Sequence, residues 1–498
     1  MSLINISNLT FSYDGSFNNV FENVNIKLDT QWKLGLIGRN GKGKTTLMKL
    51  LTGELHGSGT ISSSVCFEYF PYSISNYEMF TIDVIREIAP EAEDWEIYRE
   101  MSLLKISSDT DYRIFSTLSG GEQAKAMLAG LFLRRNSFLL IDEPTNHLDS
   151  EGRRIIGEYL SRKNGFILVS HDRELLDICT DHILSINRCS IELQKGNYSD
   201  WQHNKDMQDQ FELAQNEKLK KDIKRLETAA KRTAQWSDKA EKAKIGFDPV
   251  KVEKSASRRP YEAAKSKKIM SRSMAISERR ERAVHEKEKL LHNVEQTSEL
   301  KIQPLTFHSQ KLIQIENVSI RYGEKVVCSN VNFTVMQGER IAVKGRNGCG
   351  KSSILKLICG EDITYSGRII KNNQLKISYV PQKTNHLHGT LQNYAEKLGI
   401  DLSLFLTILR KLDFSREHFE QNIECYSAGQ KKKVLIAGSL CEKAHLYIWD
   451  EPLNYIDIIS RIQIENMILS SDATMIFVEH DEMFCQRIAD NFVEIQNL

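Results

Sequence analysis

An internal duplication is the feature that most limits what this chain can fold into. The pattern GxxxxGK[ST] occurs twice, at residues 38–45 and 345–352, and the two copies start 307 residues apart. Each copy follows a short apolar stretch and precedes a segment of helical character, which is the context in which a glycine-rich loop holds nucleotide phosphates. The chain is therefore expected to contain two copies of one unit rather than unrelated domains.

Three further landmarks follow each loop in the same order. A signature segment begins 80 residues after the first glycine of the loop in the first copy and 81 residues after it in the second. An apolar strand ending in two acids comes next, and a histidine lies 29 or 30 residues beyond the first acid. The landmarks are Leu118, Asp142, Glu143 and His171 in one copy and Tyr426, Asp450, Glu451 and His480 in the other. This agreement predicts two α/β nucleotide-binding domains in tandem.

The signature segments, LSGGEQ at 118–123 and YSAGQK at 426–431, complete a resemblance to the ATP-binding cassette (ABC) ATPases. The resemblance covers about residues 1–200 and 310–498. It implies two P-loop ABC domains, at 1–200 and 301–498, joined by an interdomain linker at 201–300. It also implies Mg²⁺-dependent hydrolysis of ATP to ADP and phosphate.

In that family the two domains pair head to tail, and each ATP lies between the phosphate loop of one domain and the signature of the other. Backbone N–H groups of the loop surround the phosphates, and a lysine adds positive charge. Tyr13 and Tyr322 match the family position whose ring stacks on adenine, although they could be ordinary strand aromatics. The expected ATP-binding residues are Tyr13, Gly38, Asn40, Gly41, Gly43, Lys44, Thr45, Thr46, Ser119, Gly120, Gly121, Gln123, Tyr322, Gly345, Asn347, Gly348, Gly350, Lys351, Ser352, Ser353, Gln382, Ser427, Gly429 and Gln430.

The resemblance also assigns metal-binding and catalytic roles. The expected Mg²⁺ ligands, some of them acting through water, are Thr45, Asp142, Ser352, Gln382 and Asp450. Glu143 and Glu451 take the position of the general base for the attacking water. His171 and His480 take that of the switch histidine that contacts the γ-phosphate. The alternatives are solvated carboxylates beside a proline and buried core histidines.

Two departures from the family pattern fall in the same composite site. The second signature has Ala428 where a glycine is expected, and its methyl group could impede the approach of the backbone to phosphate. The first domain has Tyr72 where the second keeps the usual glutamine, Gln382. We hypothesise that the site built on Lys44 turns over slowly or mainly holds ATP, and that the site built on Lys351 is the more active one.

The linker differs from the rest of the chain in charge. The whole chain is balanced, with 67 Lys and Arg against 66 Asp and Glu, but residues 201–300 contain 24 basic and 17 acidic residues. Gly246, Pro249 and Pro260 interrupt two stretches with apolar residues at helical spacing, which predicts an antiparallel hairpin of two long helices. The first arm would cover about 205–243. The tip, near 244–260, would present Lys244, Ile245 and Phe247.

A basic hairpin of this kind is suited to structured RNA, although a charge run can also be a solvated face. Two ABC domains with such a linker resemble the ABC-F family, in particular its antibiotic-resistance (Lsa/Vga-like) branch. By that resemblance the ATP-bound protein enters the E site of the 70S ribosome, contacts 23S rRNA and P-site tRNA, and dislodges antibiotics from the peptidyl-transferase centre. The drug classes are lincosamides, streptogramin A compounds and pleuromutilins.

Two other functions remain open at this stage. The chain could be a housekeeping ABC-F translation factor without drug specificity, or a tandem ATPase subunit of a membrane transporter. No stretch approaches the ~18 apolar residues that a membrane helix needs, and the N-terminus lacks a secretory signal pattern. We therefore expect a cytoplasmic protein with no membrane contact, acting as a monomer whose two ABC domains pair within the chain.

Overall fold

A computed structural model describes residues 2–15, 19–146, 148–187, 190–245, 302, 304–323 and 325–495. The residues up to Trp201 form one compact unit with those from 302 onward, and the described linker residues from Gln202 belong to a second unit. Within the first unit we call residues 1–200 the first repeat and residues 301–498 the second repeat.

The first repeat alternates strands and helices. Its described strands are β1 (Leu3–Phe11), β2 (Phe21–Asp29), β3 (Lys33–Gly38), β4 (Ser58–Ser62), β5 (Cys66–Phe70), β6 (Ser137–Asp142), β7 (Phe166–Val169), β8 (His182–Asn187) and β9 (Ser190–Lys195). Its described α-helices are Lys44–Thr52, Thr81–Ile88, Asp94–Leu103, Gly120–Leu133, Ser150–Ser161 and Arg173–Cys179. The main sheet has the order β5-β6-β7-β3-β8-β9, and an antiparallel sheet has the order β2-β1-β4.

The second repeat has the same plan. Its described strands are β10 (Lys311–Tyr322), β11 (Lys325–Met336), β12 (Arg340–Lys344), β13 (Tyr365–Lys371), β14 (Ile377–Val380), β15 (Leu446–Asp450), β16 (Met475–Val478) and β17 (Asn491–Glu494). Its described α-helices are Lys351–Cys359, Leu391–Leu398, Leu402–Lys411, Arg416–Glu420, Ala428–Cys441, Ile458–Leu469 and Glu482–Ile488. The main sheet runs β14-β15-β16-β12-β17, and the antiparallel sheet runs β11-β10-β13. The predicted tandem α/β fold is therefore confirmed.

The central strands explain why the functional residues converge. β6, β7 and β3 pair in parallel, as do β15, β16 and β12, and their apolar residues are almost fully buried because helices cover both faces. Parallel strands end at the same edge of a sheet, which is where ligands bind in α/β folds. The phosphate loops follow β3 and β12, the paired acids lie at the carboxyl ends of β6 and β15, and the histidines follow β7 and β16.

The chain leaves the first repeat through a long helix, Tyr198–Ile245, of 48 residues. At ~1.5 Å per residue this helix is about 72 Å long. The predicted first arm lies within it, and Lys244 and Ile245 are its last two residues. The predicted break, the second arm and Phe247 lie outside the described residues. In the part of the chain that the structure covers, no helix is both long and apolar enough to span a membrane.

Candidate functional site: two phosphate loops at the interface between the repeats

Both phosphate loops end in a glycine that begins a helix. Gly43 and Gly350 have φ angles of 100° and 94°, a left-handed conformation that side chains rarely adopt, and each precedes the lysine that starts the helix. A Cβ on either glycine would lie less than 3.0 Å from a valine methyl group. The sequence therefore needs glycine here to turn backbone N–H groups and the helix N-terminus towards an anion.

The loop lysines are buried against their own loops. The Nζ of Lys44 donates to the carbonyl oxygens of Gly38 and Arg39, at 2.7 and 3.2 Å. The Nζ of Lys351 donates to the carbonyl oxygens of Gly345 and Arg346, at 2.8 and 2.9 Å. Burial lowers the pKa of Lys44, and nearby carboxylates oppose this shift. The two loops thus place the same cation in the same environment.

The two predicted adenine-stacking tyrosines occupy matching positions. The hydroxyl of Tyr13 lies 2.8 Å from the Thr46 hydroxyl, and that of Tyr322 donates to the Ser353 hydroxyl at 3.2 Å. Thr46 and Ser353 each belong to the helix that follows a phosphate loop. Both tyrosine side chains are about half exposed, at 48% and 51%. The rings are therefore anchored beside the loops while much of their surface is open to a ligand.

Four of the five residues predicted to hold Mg²⁺ form hydroxyl-carboxylate pairs, and the fifth, Gln382, bonds the Glu451 carboxylate instead. Thr45 Oγ1 donates to Asp142 Oδ2 at 3.4 Å, and Ser352 Oγ donates to Asp450 Oδ1 at 3.1 Å. Burial raises the pKa of Asp450 to about 6, with smaller opposing effects from Ser352 and other neighbours. Hard oxygen ligands of this kind suit Mg²⁺, which also retains several waters. The donor set therefore fits the expected ion.

Glu143 lies deep in the first site. Its backbone has a φ of 50°, its Oε1 is 3.5 Å from Nε2 of His171, and its Oε2 accepts from the His171 N–H at 3.4 Å. Within the described part of the chain, Oε1 is buried without a hydrogen-bond partner. Burial, reinforced by the charge of Asp142, raises the pKa of Glu143 to about 7. Burial and then Lys44 lower the pKa of His171 well below its ordinary value, so this imidazole is neutral at pH 7.

Glu451 lies at the equivalent place in the second site but has more hydrogen-bond partners. Asn454 Nδ2 donates to its Oε2 at 2.7 Å, Gln382 also bonds its carboxylate, and Nε2 of His480 is 3.7 Å from its Oε1. Burial by itself would raise the pKa of Glu451, but contacts with His480, Gln382 and Asn454 lower it to about 2. Glu451 is therefore ionised over the whole physiological range, unlike Glu143.

Tyr72 does not replace the contact that Gln382 makes. The Tyr72 ring packs against the core of the first repeat, and the guanidinium carbon of Arg134 lies 6.0 Å from the ring centre. Arg134 caps the C-terminal end of the helix Gly120–Leu133. The position that supplies an amide to Glu451 in the second repeat therefore supplies a packed aromatic ring in the first.

The second signature lies against the first phosphate loop. A Cβ on Gly429 would be 3.3 Å from Nδ2 of Asn40 and well inside van der Waals distance of the Tyr455 carbonyl oxygen. Asn40 Nδ2 also donates to that carbonyl, at 2.9 Å, and Arg39 pairs with Asp413 at 3.1 Å. Glycine is thus required at 429 mainly because a side chain would clash with the Tyr455 carbonyl of its own repeat. The structure brings the first loop and the second signature together, as head-to-tail pairing requires.

The second phosphate loop faces a cavity of about 360 Å³. Leu148 and Arg153 of the first repeat contribute to its wall, and Arg346 of the second loop pairs with Glu151 at 3.1 Å. The lining residues from the second repeat are Val327, Asn347, Gly348, Gly350, Lys351, Ser352, Ser353, Gln382, Glu451, Asn454 and His480. Residues 119–123 of the first signature are not among the described residues that line this cavity.

The two signatures begin their helices alike. Ser119 and Ser427 cap the helices Gly120–Leu133 and Ala428–Cys441, and each forms a reciprocal capping box with the residue three positions later. That residue is Glu122 in the first signature and Gln430 in the second. Gln123, included among the expected ATP contacts, instead donates to the Phe115 carbonyl at 3.0 Å. Glu122, not Gln123, therefore occupies the place of Gln430.

A buried ion network joins the repeats near the switch histidines. Nη2 of Arg173, in the first repeat, donates to Glu465 Oε1 at 2.6 Å and to both Asp481 oxygens at 3.2 Å in the second repeat. Arg461 donates to the same Asp481 at 3.0 Å. All four side chains are almost fully buried from solvent. The motifs predicted neither this network nor the contact of Asn454. For Asn454 the sequence does contain a signal, because Asn146 and Asn454 both lie three residues after a candidate general base.

Comparison with known proteins agrees with this geometry. The ABC transporter family model matches residues 21–146 and 328–454, which is just over half of the chain. The ribosome protection protein VmlR of Bacillus subtilis is 27% identical over 98% of this chain and 86% of its own length. The ATP-binding protein Uup of Buchnera aphidicola is 25% identical over 98% of this chain and 80% of its own.

Solved structures share the fold. A crystal structure of the archaeal ribosome recycling factor aABCE1 matches with a TM-score of 0.65 at 19% identity, covering 99% of this chain and 88% of the other. An RNase-L inhibitor structure gives 0.65 at 18% identity, with the same coverage. The family assignment rests on two findings. One is the pair of matched domains, each with a phosphate loop, two acids and a histidine. The other is the similarity to VmlR and Uup over nearly all of this chain. The chain belongs to the ABC family and, within it, is an ABC-F ATPase.

Proposed function

We propose that the two composite sites bind Mg²⁺-ATP and hydrolyse it with Glu143 and Glu451 as general bases. Two observations support this: each glutamate directly follows a strand of the main sheet, β6 or β15, and each lies beside the histidine that follows the neighbouring strand. Thr45 with Asp142 and Ser352 with Asp450 would hold the ion, which neutralises charge on the β- and γ-phosphates. Neutral His171 could accept or donate a hydrogen bond near the γ-phosphate.

We further propose that the second site hydrolyses ATP faster than the first. Gln382 and Asn454 hold the Glu451 carboxylate in a fixed orientation, whereas Tyr72, at the position of Gln382 in the first repeat, packs against the core with Arg134 over its ring. A base held by two amides is already placed to orient the attacking water. In single-turnover assays, Glu451→Gln should remove most hydrolysis and Glu143→Gln should leave most of it. Equal losses in the two variants would contradict this asymmetry.

For the cellular role, we propose a ribosome-binding protein that enters the E site with ATP bound and protects the peptidyl-transferase centre from antibiotics. The similarity to the ribosome protection protein VmlR over almost the whole chain is the observation that carries this proposal. Residues 201–300 have a net positive charge, and the 48-residue helix Tyr198–Ile245 extends into them. Both features support contact with 23S rRNA and P-site tRNA. The tip residues Lys244, Ile245 and Phe247 would act nearest the drug.

In vitro translation tests this role directly. Purified protein and ATP should restore synthesis in the presence of lincomycin, tiamulin or virginiamycin M, representing the three drug classes. The Phe247→Ala variant should still hydrolyse ATP but rescue less, with a loss that differs between drugs if the tip sets the spectrum. No rescue with any of the three would refute drug protection and favour a translation factor without drug specificity.

Ribosome association is tested separately. The double variant Glu143→Gln/Glu451→Gln should trap ATP and co-sediment with 70S ribosomes, because hydrolysis is proposed to permit release. Removing three basic residues of the linker should weaken that association and reduce its dependence on salt concentration. Sedimentation with membranes instead of ribosomes would favour a transporter ATPase.

A further inference from the structure

A fully buried lysine lies beneath the second site. Lys432, on the helix Ala428–Cys441, is only 2% exposed. Its Nζ donates to the carbonyl oxygens of Glu451 at 2.9 Å and Pro381 at 3.1 Å, and the Asp450 carbonyl lies at 3.5 Å. A buried ammonium group is costly to fold unless it is paired and hydrogen-bonded. The position of Lys432 therefore depends on these backbone partners and on nearby carboxylates.

The two shorter bonds join the two segments that form the catalytic pair. Pro381 directly precedes Gln382, and Gln382 bonds the Glu451 carboxylate. Glu451 itself has a φ of 46°, a conformation that a non-glycine residue keeps only when its surroundings hold it there. Lys432 thus connects the loop that carries the amide to the backbone of the base that the amide orients.

The first repeat lacks this arrangement. The residue equivalent to Lys432 is Ala124, and the residue before the switch histidine is Ser170 in the first repeat and Glu479 in the second. Glu479 accepts from the N–H groups of Leu453 and His480, at 2.7 and 2.9 Å. Of the carboxylates near Lys432, it stabilises the charged form of the lysine most. The lysine, the glutamate and the amide of Gln382 therefore occur together in one repeat only.

We propose that Lys432 is a positioning residue for ATP hydrolysis at the second site, where it holds the Gln382 loop and the Glu451 backbone in one arrangement. The proposal rests on the assignment of Glu451 as the general base. The helix that carries Lys432 also presents Gly429, three residues earlier, to the first phosphate loop. The helix that would position the second site thus also contacts the phosphate loop of the first site.

The test isolates each site with a background variant. In Glu143→Gln, which leaves the second site, Lys432→Met should lower kcat by about tenfold, the effect of about one lost hydrogen bond in the transition state, with KM for ATP within about twofold. In Glu451→Gln, which leaves the first site, the same change should have no effect on single-turnover hydrolysis. Lys443→Met, at an exposed position just after the same helix, is the matched control and should be neutral.

Rescue separates positioning from a general structural role. Lys432→Arg should recover most of kcat in the Glu143→Gln background, because arginine keeps a charged donor beside the same carbonyl groups. Equal loss in both backgrounds, or a loss confined to KM, would overturn the proposal. Unchanged kcat in Lys432→Met would do so as well. The assignment of Glu451 fails independently, if Glu451→Gln alone leaves total hydrolysis unchanged.

Discussion

The different environments of the two base candidates predict different pH profiles for the two sites. The perturbation is the pH itself, varied from 6 to 8 in single-turnover hydrolysis by Glu451→Gln, in which only the first site is active. Glu143 has a pKa raised to about 7, mainly by burial. Its ionised fraction therefore grows from about 0.1 at pH 6 to about 0.9 at pH 8, which predicts a roughly tenfold rise in rate if the carboxylate is the base.

The second site provides the internal comparison. Glu451 has a pKa lowered to about 2, so it is ionised throughout the same range. Hydrolysis by Glu143→Gln should therefore be nearly flat from pH 6 to about 7.5. Burial and the charge of Lys44 hold the pKa of His171 well below its ordinary value, so we expect Glu143 to dominate the first-site profile.

The assay is rapid quenching of enzyme mixed with substoichiometric radiolabelled ATP at saturating Mg²⁺ and constant ionic strength. Single turnover removes product release from the measured rate, so the profile reports the ATP-bound enzyme. Burial, the main cause of the raised pKa, persists when ATP covers the site. A flat profile in Glu451→Gln, or the same tenfold rise in both variants, would refute the argument from carboxylate environment.

Three further results are expected. Arg173→Met should remove the cation that the first repeat supplies to Glu465 and Asp481, while Arg487 and Arg461 of the second repeat stay in place. The association of the repeats should weaken by about 1.5–3 kcal/mol, seen as a lower apparent Tm than in the exposed-site control Arg154→Met. Gly429→Ala should slow hydrolysis at the first site but not the second in the same single-site assays, because its Cβ would displace the Tyr455 carbonyl to which Asn40 of the first phosphate loop donates. Glu143→Gln should stabilise the protein by up to about 3 kcal/mol at pH 8 and by little at pH 5. The reason is that a raised native pKa makes the stability of the wild type fall as the Glu143 carboxyl ionises. An equal gain in Tm at both pH values would contradict this sign.

The spacing of motifs in the sequence was enough to predict the tandem fold and the strand ends that carry the site. Glycine-rich loops, paired acids and histidines have fixed places in this topology, so Lys44, Asp142 and His171 could be identified before any geometry was known. The unequal pKa values of Glu143 and Glu451 could not, because they depend on which side chains reach each carboxylate.

Contacts between distant segments were also beyond the sequence. Arg173 and Glu465 are 292 positions apart, and neither belongs to a recognised motif. Lys432 is one of three consecutive lysines, two of which are buried, and composition does not reveal which two. A residue-by-residue comparison of the two repeats provides one signal, since a lysine that replaces an alanine within a duplicated helix indicates a local change of role.

The one-sided ion network also limits how this gene could be rearranged. The counterpart of Arg173 in the second repeat is Glu482, and the counterpart of Glu465 in the first is Gly157. Two copies of the first repeat would set arginine against glycine, and two copies of the second would set Glu482 against Glu465. The halves have thus become complementary rather than interchangeable, and a homodimer of either half would lack the buried cation–carboxylate cluster that joins them here.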